Sequence, residues 1–235
     1  MPALPFFYHP EIDTSGTLFE LDEATARHIT QVLRMKTGEQ LNLTNGKGLL
    51  ATAVIRSVGK KACAVSVVSV EEHPAPAQKK IIAISLLKNA GRFEWFLEKA
   101  VELGITHIIP LQCKRTEKQH FRTERMQQIL ISAMLQSQQT YLTQLHGVTA
   151  FADALKLFPS SKKYMAHCYE TEKQHFAEAA KNAHDKIIFI GPEGDFTEQE
   201  VETAVAEGYV PVSLGNTRLR TETAGITAAV MLNVI

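Results

Sequence analysis

The sequence predicts a protein of two parts, a small and mostly β module followed by a larger α/β domain on an open, mainly parallel sheet. Three observations carry this prediction. Before residue 72, apolar and polar residues alternate along several segments, as they do in half-buried strands. Beyond residue 78, short apolar runs alternate with segments whose apolar residues recur at helical spacing. This alternation is typical of a parallel sheet with helices on both faces. Residues 73–78 contain two prolines and are typical of a linker.

The N-terminal module, residues 1–72, is expected to begin with a helix capped by Asp22. Its apolar face is expected to hold Ala26, Ile29, Val32 and Leu33. Strands are expected at residues 40–45, 49–58 and 62–70, and the Asn45-Gly46 pair favours a tight hairpin turn between the first two. A helix and several antiparallel strands in this length predict a small barrel-like module.

The predicted parallel sheet lies in residues 79–235. Its strands are expected at residues 81–87, 105–111, 163–168, 186–190 and 210–214. Helices are expected at residues 92–103, 123–139, 172–182, 197–207 and 222–235. Gly104 is expected to end the first of these, and Thr197 with Glu200 forms a capping box at the start of the fourth.

Composition excludes several classes of protein. The 235 residues are 45% hydrophobic, which argues against a disordered chain. Their formal net charge of +0 argues against a polybasic nucleic-acid binder. The apolar runs are shorter than the roughly 20 residues that span a bilayer, and the N-terminus does not resemble a secretory signal. The three cysteines are far apart and the nine histidines form no ligand cluster. We therefore expect a cytoplasmic protein with reduced thiols, no membrane contact and no metal.

The charge is unevenly spread along this neutral chain. Residues 73–150 hold 10 basic and 5 acidic side chains, whereas residues 151–235 hold 8 and 12. Five of the basic residues lie close together, namely Lys114, Arg115, Lys118, Arg122 and Arg125. This stretch is either a surface that contacts phosphates or a solvated loop.

Two strand-to-helix junctions are candidate ligand-binding or catalytic sites, because ligands bind beyond the carboxyl ends of parallel strands. The first runs from Gly191 to Phe196 and contains two glycines before the capped helix. The second, residues 215–223, places two arginines beside a carboxylate and several hydroxyls. A simple turn and a solvated loop remain the alternatives. The dinucleotide-binding fingerprint, the Walker A loop and the G-x-S-x-G elbow are absent.

Three stretches of these junctions carry a resemblance. Residues 190–197 are Ile-Gly-Pro-Glu-Gly-Asp-Phe-Thr, residues 212–215 are Val-Ser-Leu-Gly and residues 219–224 are Leu-Arg-Thr-Glu-Thr-Ala. In this order they resemble the C-terminal signature of the RsmE family, the ribosomal RNA small-subunit methyltransferases E of the SPOUT superfamily. Residues 88–110 and 28–38 resemble upstream segments of the same family, so the resemblance covers nearly the whole chain.

The resemblance implies transfer of a methyl group from S-adenosylmethionine to N3 of one uridine in 16S rRNA of the small ribosomal subunit. It implies a PUA-like β-barrel, a SPOUT domain with a deep trefoil knot, a homodimer, and the assembled subunit as substrate. Related ribose 2′-O-methyltransferases carry a Ser-Leu-Asn run where residues 219–223 stand here, which favours the base methyltransferase.

Carried over to this chain, the resemblance implies a cofactor pocket formed by Gly191, Pro192, Glu193, Gly194, Leu214, Gly215, Leu219, Arg220, Thr221 and Thr223. Our hypothesis for catalysis is that Arg220 stabilises negative charge on the uracil oxygens. Glu222 or Glu193 would accept the proton, and we name Glu222; a structural role for either carboxylate is the alternative. The expected RNA contacts are Arg34, Lys88, Arg115 and Arg122.

One segment departs from the family pattern. The family's central helix usually carries a Glu and an Arg where this chain has Leu135 and Gln139, and a Pro where Thr143 stands. The departure leaves the cofactor motifs untouched. A SPOUT enzyme that acts on another RNA position, and an RNA-binding relative without catalysis, remain the alternative functions.

Overall fold

A computed structural model describes residues 4–234, apart from residues 13, 17, 60, 118, 119 and 182. These residues form two compact units. The first comprises the described residues up to Ala75 together with Met134–Leu142, and the second comprises Pro76–Ala133 and the described residues from Thr143 onward. The division of the sequence into residues 1–72, 73–78 and 79–235 stays a prediction.

The first unit is built on a five-stranded sheet. Its elements are β1 (Phe6–Tyr8), β2 (Phe19–Glu20), α1 (Glu23–Arg27), β3 (Gln40–Thr44), β4 (Leu49–Val58) and β5 (Cys63–Glu72). The strand order is β1-β3-β4-β5-β2, and every pair is antiparallel except β1 with β3. The register of β4 against β5 shifts twice, and such bulges bend a sheet so that it curls around a core.

The predicted helix in this unit is shorter than expected. Asp22 does cap it, accepting a hydrogen bond from the Thr25 amide at 3.0 Å. After Arg27, however, the chain makes a π-helical turn over His28–Val32. A π turn holds more residues than an α turn, so the 3.6-residue periodicity is lost. Ala26 and Ile29 are fully buried, but Val32 is 68% exposed and Leu33 is exposed too, so the expected apolar face is wrong at both.

The hairpin between β3 and β4 is wider than a two-residue turn. Residues 45–48 connect the strands, and Gly46 and Gly48 both have positive φ angles. The Asn45 side chain accepts hydrogen bonds from the amides of Lys47 and Leu49, which shapes the loop. The Asn-Gly pair thus predicts the position of the turn correctly, but the connection is four residues long instead of the expected tight turn.

The second unit is built on an eight-stranded sheet in which all recorded pairs are parallel. Its first elements are β6 (Lys80–Ser85), α2 (Ala90–Glu102), β7 (His107–Gln112), α3 (Thr123–Gln136), β8 (Gln144–Leu145), β9 (Thr149–Ala150) and α4 (Phe151–Ala154). They are followed by β10 (Lys162–Ala166), β11 (Gln174–His175), α5 (Phe176–Ala179), β12 (Lys186–Ile190), α6 (Glu198–Ala206), β13 (Val210–Ser213) and α7 (Thr221–Val234). The strand order is β11-β13-β10-β12-β6-β7-β8, with β9 beside β7.

The apolar strand segments form the core of this unit, as their sequences predict. β6, β7 and β12 are almost entirely buried. Gly104 has φ +68 and ends α2, which confirms its predicted role. α7 lies so close to α2 that a Cβ atom on Gly225 would come within 2.6 Å of the Phe96 ring.

Two predicted helices of the second domain differ from the structure. Residues 172–182 form only the short helix α5 and the two-residue strand β11, because this polar segment offers few apolar residues at helical spacing; Asn182 lies outside the described residues. α3 ends at Gln136 instead of residue 139, since Gln138 adopts a left-handed φ of 55 and the Gln139 amide bonds back to Met134. No helix among the described residues is long and apolar enough to cross a membrane.

Candidate functional site

A cavity of about 620 Å³ opens where β10, β12 and β13 end. Three segments line it: residues 166–168, residues 190–193 and residues 212–221; Lys173, Asp195 and Ala224 complete the wall. Because all three strands are parallel, their carboxyl ends meet at one edge of the sheet, which is where ligands bind in this class of fold.

The cavity brings together eight of the ten residues that the sequence assigns to a cofactor pocket. They are Gly191, Pro192, Glu193, Leu214, Gly215, Leu219, Arg220 and Thr221. Gly194 and Thr223 do not line it. The Gly194 carbonyl accepts a hydrogen bond from Arg115, and Thr223 lines a smaller cavity. The two junctions that the sequence singles out therefore form one cavity.

A buried hydrogen bond joins these two junctions. The Thr221 hydroxyl, in the first turn of α7, donates to the Gly191 carbonyl at 3.0 Å. A Cβ atom at Gly191 would lie 3.0 Å from the Phe196 ring. Gly215 has φ +138, a backbone conformation that residues other than glycine rarely adopt. The hydrogen bond holds the two halves of the cavity backbone together, and the backbone favours glycine at both positions.

The loop after β12 is fixed by its own polar groups. Asp195, at φ 63, accepts hydrogen bonds from the amides of Cys168 and Phe196, both at 2.8 Å. Thr197 and Glu200 form the predicted capping box, which is confirmed. Arg115 donates to the Gly194 carbonyl at 2.7 Å and to the Phe196 carbonyl at 3.2 Å. These contacts fix the position of the loop.

His167 is a cavity residue that the sequence analysis missed. It is 7% exposed, and neither ring nitrogen has a hydrogen-bond partner among the described residues. Burial lowers the pKa of His167, and the Lys173 ammonium lowers it further, so the ring is neutral near pH 7. A neutral imidazole offers one donor and one acceptor to a ligand. No motif surrounds His167 in the sequence, so no local signal identifies it.

These features fit S-adenosylmethionine, the cofactor that the resemblance implies. The volume lies within the roughly 300–1,000 Å³ typical of small-molecule sites. Leu214 and Leu219 supply apolar surface for an adenine ring, and the buried His167 nitrogens lack the partners that a polar ligand would bring. Among the described residues, no group of three or more His, Cys, Asp or Glu side chains is placed to hold a metal ion.

A second, smaller cavity of about 460 Å³ lies at the first turns of α2 and α7. Its wall consists of Asn89, Gly91, Arg92, Trp95, Glu222 and Thr223. Glu222 is 7% exposed; its Oε1 lies 3.6 Å from Nε of Arg92, and its buried Oε2 has no partner among the described residues. The two predicted catalytic residues thus line different cavities, Arg220 the larger and Glu222 the smaller.

The four predicted RNA contacts are all exposed but differ in their surroundings. Arg115 holds the loop after β12, and Lys88 forms a surface ion pair with Glu117 at 3.3 Å. The side chains of Arg34 and Arg122 make no hydrogen bond or ion pair with another described residue, although the positive charge of Arg122 contributes to the lowered pKa of Glu94. Lys118, from the same basic stretch as Arg122, lies outside the described residues. RNA contact at these four positions stays a prediction.

Two family models match the chain. A model of an RNA methyltransferase domain matches residues 73–233, and a model of an RNA methyltransferase PUA domain matches residues 21–68. Among curated relatives, the ribosomal RNA small subunit methyltransferase E of Bacillus subtilis is 27% identical over 223 residues, which covers 89% of this chain and 87% of the relative.

Solved structures agree with these matches over nearly the full length. A probable rRNA-methyltransferase from Porphyromonas gingivalis has a TM-score of 0.87 and 36% identity, covering 96% of this chain and 95% of that one. A ribosomal RNA small subunit methyltransferase E from Neisseria gonorrhoeae, bound to S-adenosylmethionine, has a TM-score of 0.86 and 29% identity, with 96% and 95% coverage. Both units of the fold therefore have counterparts in these proteins.

Proposed function

The chain belongs to the RsmE family of RNA methyltransferases, and on that premise we propose that it methylates N3 of one uridine in 16S rRNA of the small ribosomal subunit, with S-adenosylmethionine as methyl donor. The observation that carries this proposal is the larger cavity. Eight residues from two distant stretches of sequence, chosen for cofactor binding from their motifs, line it together.

The cofactor supplies an electrophilic methyl group on a positively charged sulfur. In the larger cavity, Leu214 and Leu219 offer apolar contact, while the backbone of residues 191–193 and 214–215 can approach the ligand closely. The neutral ring of His167 adds a buried donor and acceptor. These residues bind and orient the ligand, and Thr221 keeps the two halves of the cavity together.

Uracil N3 must lose its proton before it can accept a methyl group, and the negative charge then spreads to the ring oxygens. Arg220 lines the cavity with a guanidinium group, and we assign it the stabilisation of that charge. We assign Glu222 the role of accepting the N3 proton. Its buried Oε2 has no partner among the described residues, whereas Glu193 accepts a hydrogen bond from the Lys88 amide at 3.4 Å.

The remaining assignments extend the same proposal. Residues 1–72 would act as a PUA-like RNA-binding domain and residues 79–235 as a SPOUT domain whose C-terminal segment threads a deep trefoil knot. Arg34, Lys88, Arg115 and Arg122 would contact RNA phosphates. We propose a homodimer, supported by Val230 and Val234, which are exposed one turn apart on α7. The assembled small subunit in the cytoplasm would be the substrate.

The deciding experiment is to map modified nucleotides in small-subunit RNA from cells with and without the gene by mass spectrometry. We expect one N3-methyluridine to disappear when the gene is deleted and to return when it is restored. A lost modification in another RNA would instead identify a methyltransferase with a different target. Calorimetric titration of the purified protein separates the remaining alternative, because a protein that does not bind S-adenosylmethionine is not catalytic.

A further inference from the structure

We propose that the smaller cavity binds the target uracil ring, with Asn89, Glu222 and Arg92 matching its hydrogen-bonding edge and Trp95 stacking on its face. This proposal rests on the proposed function, since it names the place of the substrate base in the same reaction. It assigns roles to three residues, Asn89, Arg92 and Trp95, that the motifs of the sequence do not single out.

Glu222 provides the first reason to expect a ligand here. Its carboxylate is more than nine-tenths buried and lines the cavity, yet Oε2 has no donor among the described residues. Leaving a buried acceptor unpaired costs about 1–3 kcal/mol, so native proteins rarely do so without a reason. An acidic side chain at the start of a helix is often explained by capping, but no backbone amide of α7 donates to this one. A donor brought by a ligand would satisfy it.

Asn89 and Arg92 provide donors on the same wall. The Asn89 side-chain oxygen accepts a hydrogen bond from the Gly91 amide at 2.9 Å, so it caps α2 and leaves the side-chain NH₂ group to donate elsewhere. Arg92 approaches Glu222 through Nε only, at 3.6 Å, and its side chain is 41% exposed. Its other guanidinium N–H groups have no partner among the described residues and can donate to an acceptor in the cavity.

Taken together, the wall presents a donor from Asn89, an acceptor from Glu222 and a donor from Arg92. The Watson–Crick edge of uracil presents the complementary set, an acceptor at O4, a donor at N3–H and an acceptor at O2. Cytosine carries an acceptor at N3 and an amino group at C4, so it would place like groups against Glu222 and against one of the donors. The cavity is therefore matched to uracil and mismatched to cytosine.

Trp95 supplies the face of this cavity. Trp95 lies beside the buried Phe93 and Phe96 of α2, and it is itself 45% exposed at the cavity wall. Stacking of a base on an aromatic side chain contributes about 1–3 kcal/mol and is common where an unpaired base is held outside a helix. A half-exposed indole beside hydrogen-bonding groups has the chemistry for that contact.

The first turn of α7 links the base to the cofactor. In this arrangement Asn89 and Arg92 hold the oxygens of the neutral uracil ring, and Arg220 adds positive charge from the cofactor side as N3 loses its proton. Arg220 and Thr221 line the larger cavity, and the next two residues, Glu222 and Thr223, line the smaller one. In the reaction, the N3–H bond breaks and its proton goes to the Glu222 carboxylate. The electron pair left on N3 forms the bond to the methyl carbon, and the pair of the broken carbon–sulfur bond returns to sulfur. Glu222 then releases the proton to solvent.

Trp95 is the single tryptophan of the chain, so its fluorescence reports directly on this cavity. The experiment titrates the protein with uridine, cytidine and N3-methyluridine monophosphates. We expect uridine monophosphate to quench the fluorescence at concentrations about tenfold lower than the other two, because only it presents an N3–H donor. In Glu222→Gln, whose amide can donate to cytosine N3, we expect this preference to shrink or reverse. Arg92→Ala should weaken uridine binding, whereas Lys156→Ala, an exposed cation outside both cavities, should not.

Kinetics on unmethylated small subunits provide the second readout. Trp95→Ala should lower kcat/KM about tenfold or more, Trp95→Phe should restore most of it, and calorimetric affinity for S-adenosylmethionine should be unchanged in both. If the protein methylates subunits but its fluorescence does not distinguish the nucleotides, this inference is wrong and the proposed function stands. If fluorescence instead follows protein concentration, the cavity is a contact between copies and the inference is also wrong. Failure to bind S-adenosylmethionine would overturn the proposed function itself.

Discussion

Arg220 is the residue on which the proposed chemistry depends most directly. Removing a group that stabilises developing negative charge costs about 10²–10³ in turnover. We expect Arg220→Ala to lower kcat on small ribosomal subunits by about this factor, and Arg220→Lys to recover part of it, because an ammonium keeps the charge but loses the planar fork. Single-turnover methylation assays measure both. Near-normal turnover of Arg220→Ala would mean that another group carries the charge.

At Gly225, helix propensity and core packing have opposite effects on the free energy of unfolding. Glycine inside a helix costs about 1 kcal/mol relative to alanine, so Gly225→Ala should stabilise α7 by propensity alone. The added Cβ, however, would lie 2.6 Å from Phe96 and 2.9 Å from Ile84, and both side chains are fully buried. Because overpacking a core costs about 1–3 kcal/mol, we expect a net loss in the free energy of unfolding.

Denaturant unfolding of Gly225→Ala measures this balance. Thr227→Ala is the matched control, since it places alanine on a half-exposed position of the same helix. It should change the free energy of unfolding by no more than about 0.5 kcal/mol. A Gly225→Ala protein as stable as the parent would show that α2 and α7 can separate slightly at little cost.

At the scale of elements, the cavity depends on the contact between α7 and the loop after β12. Thr221→Val removes the hydroxyl that donates to Gly191 while nearly keeping the volume of the side chain. A lost buried hydrogen bond is worth about 1 kcal/mol or somewhat more, so we expect affinity for S-adenosylmethionine to fall about tenfold. Calorimetry measures the change, and Thr221→Ser, which keeps the hydroxyl, should bind nearly as tightly as the parent.

Sequence patterns predict elements well where local and tertiary preferences agree. The strand at residues 186–190 and the capping box of Thr197 and Glu200 match the structure, because apolar runs and caps are local signals. The π-helical turn after Arg27 and the early end of α3 are not encoded by hydrophobic period, so Val32, Leu33 and residues 137–139 were placed wrongly. Tertiary packing overrides the period in such places.

The candidate site shows the same division. Eight cofactor residues lie in two glycine-containing motifs that follow predicted strands, and parallel topology alone predicts that such ends meet. His167 and Trp95 lie outside any motif, and only the folded chain brings them to a cavity wall. A single sequence does not indicate that Arg220 and Glu222, two residues apart, line different cavities, since this depends on how α7 packs against α2.

At the scale of the whole molecule, three partly or fully buried histidines make stability depend on pH. Burial, together with His146 and the Lys79 ammonium, lowers the pKa of His107 to about 4, against the opposing effect of Asp185; its ordinary value is 6.5. Between these values the unfolded chain binds more protons than the folded one. The stabilising effect is therefore complete above pH 6.5 and is lost as the pH falls toward 4. Burial lowers the pKa of His146 and His167 in the same direction.

We expect the free energy of unfolding to decrease steadily from pH 6.5 to pH 4 when it is measured by urea denaturation. His107→Gln removes one of the titrating groups and should make this decrease shallower. Parallel pH curves for the variant and the parent would show that His107 ionises similarly in the folded and unfolded states.

The hydrogen bond between Thr221 and Gly191 also has a consequence for the kinetics of folding. Its partners are 30 positions apart, and parallel strands pair only after long crossover connections have closed. We therefore expect the cofactor cavity to form late, after the transition state for folding. A ligand that binds such a cavity stabilises the native state without stabilising the barrier. We expect S-adenosylmethionine to slow unfolding in stopped-flow experiments while the refolding rate stays the same, so that the cofactor prolongs the lifetime of the folded protein.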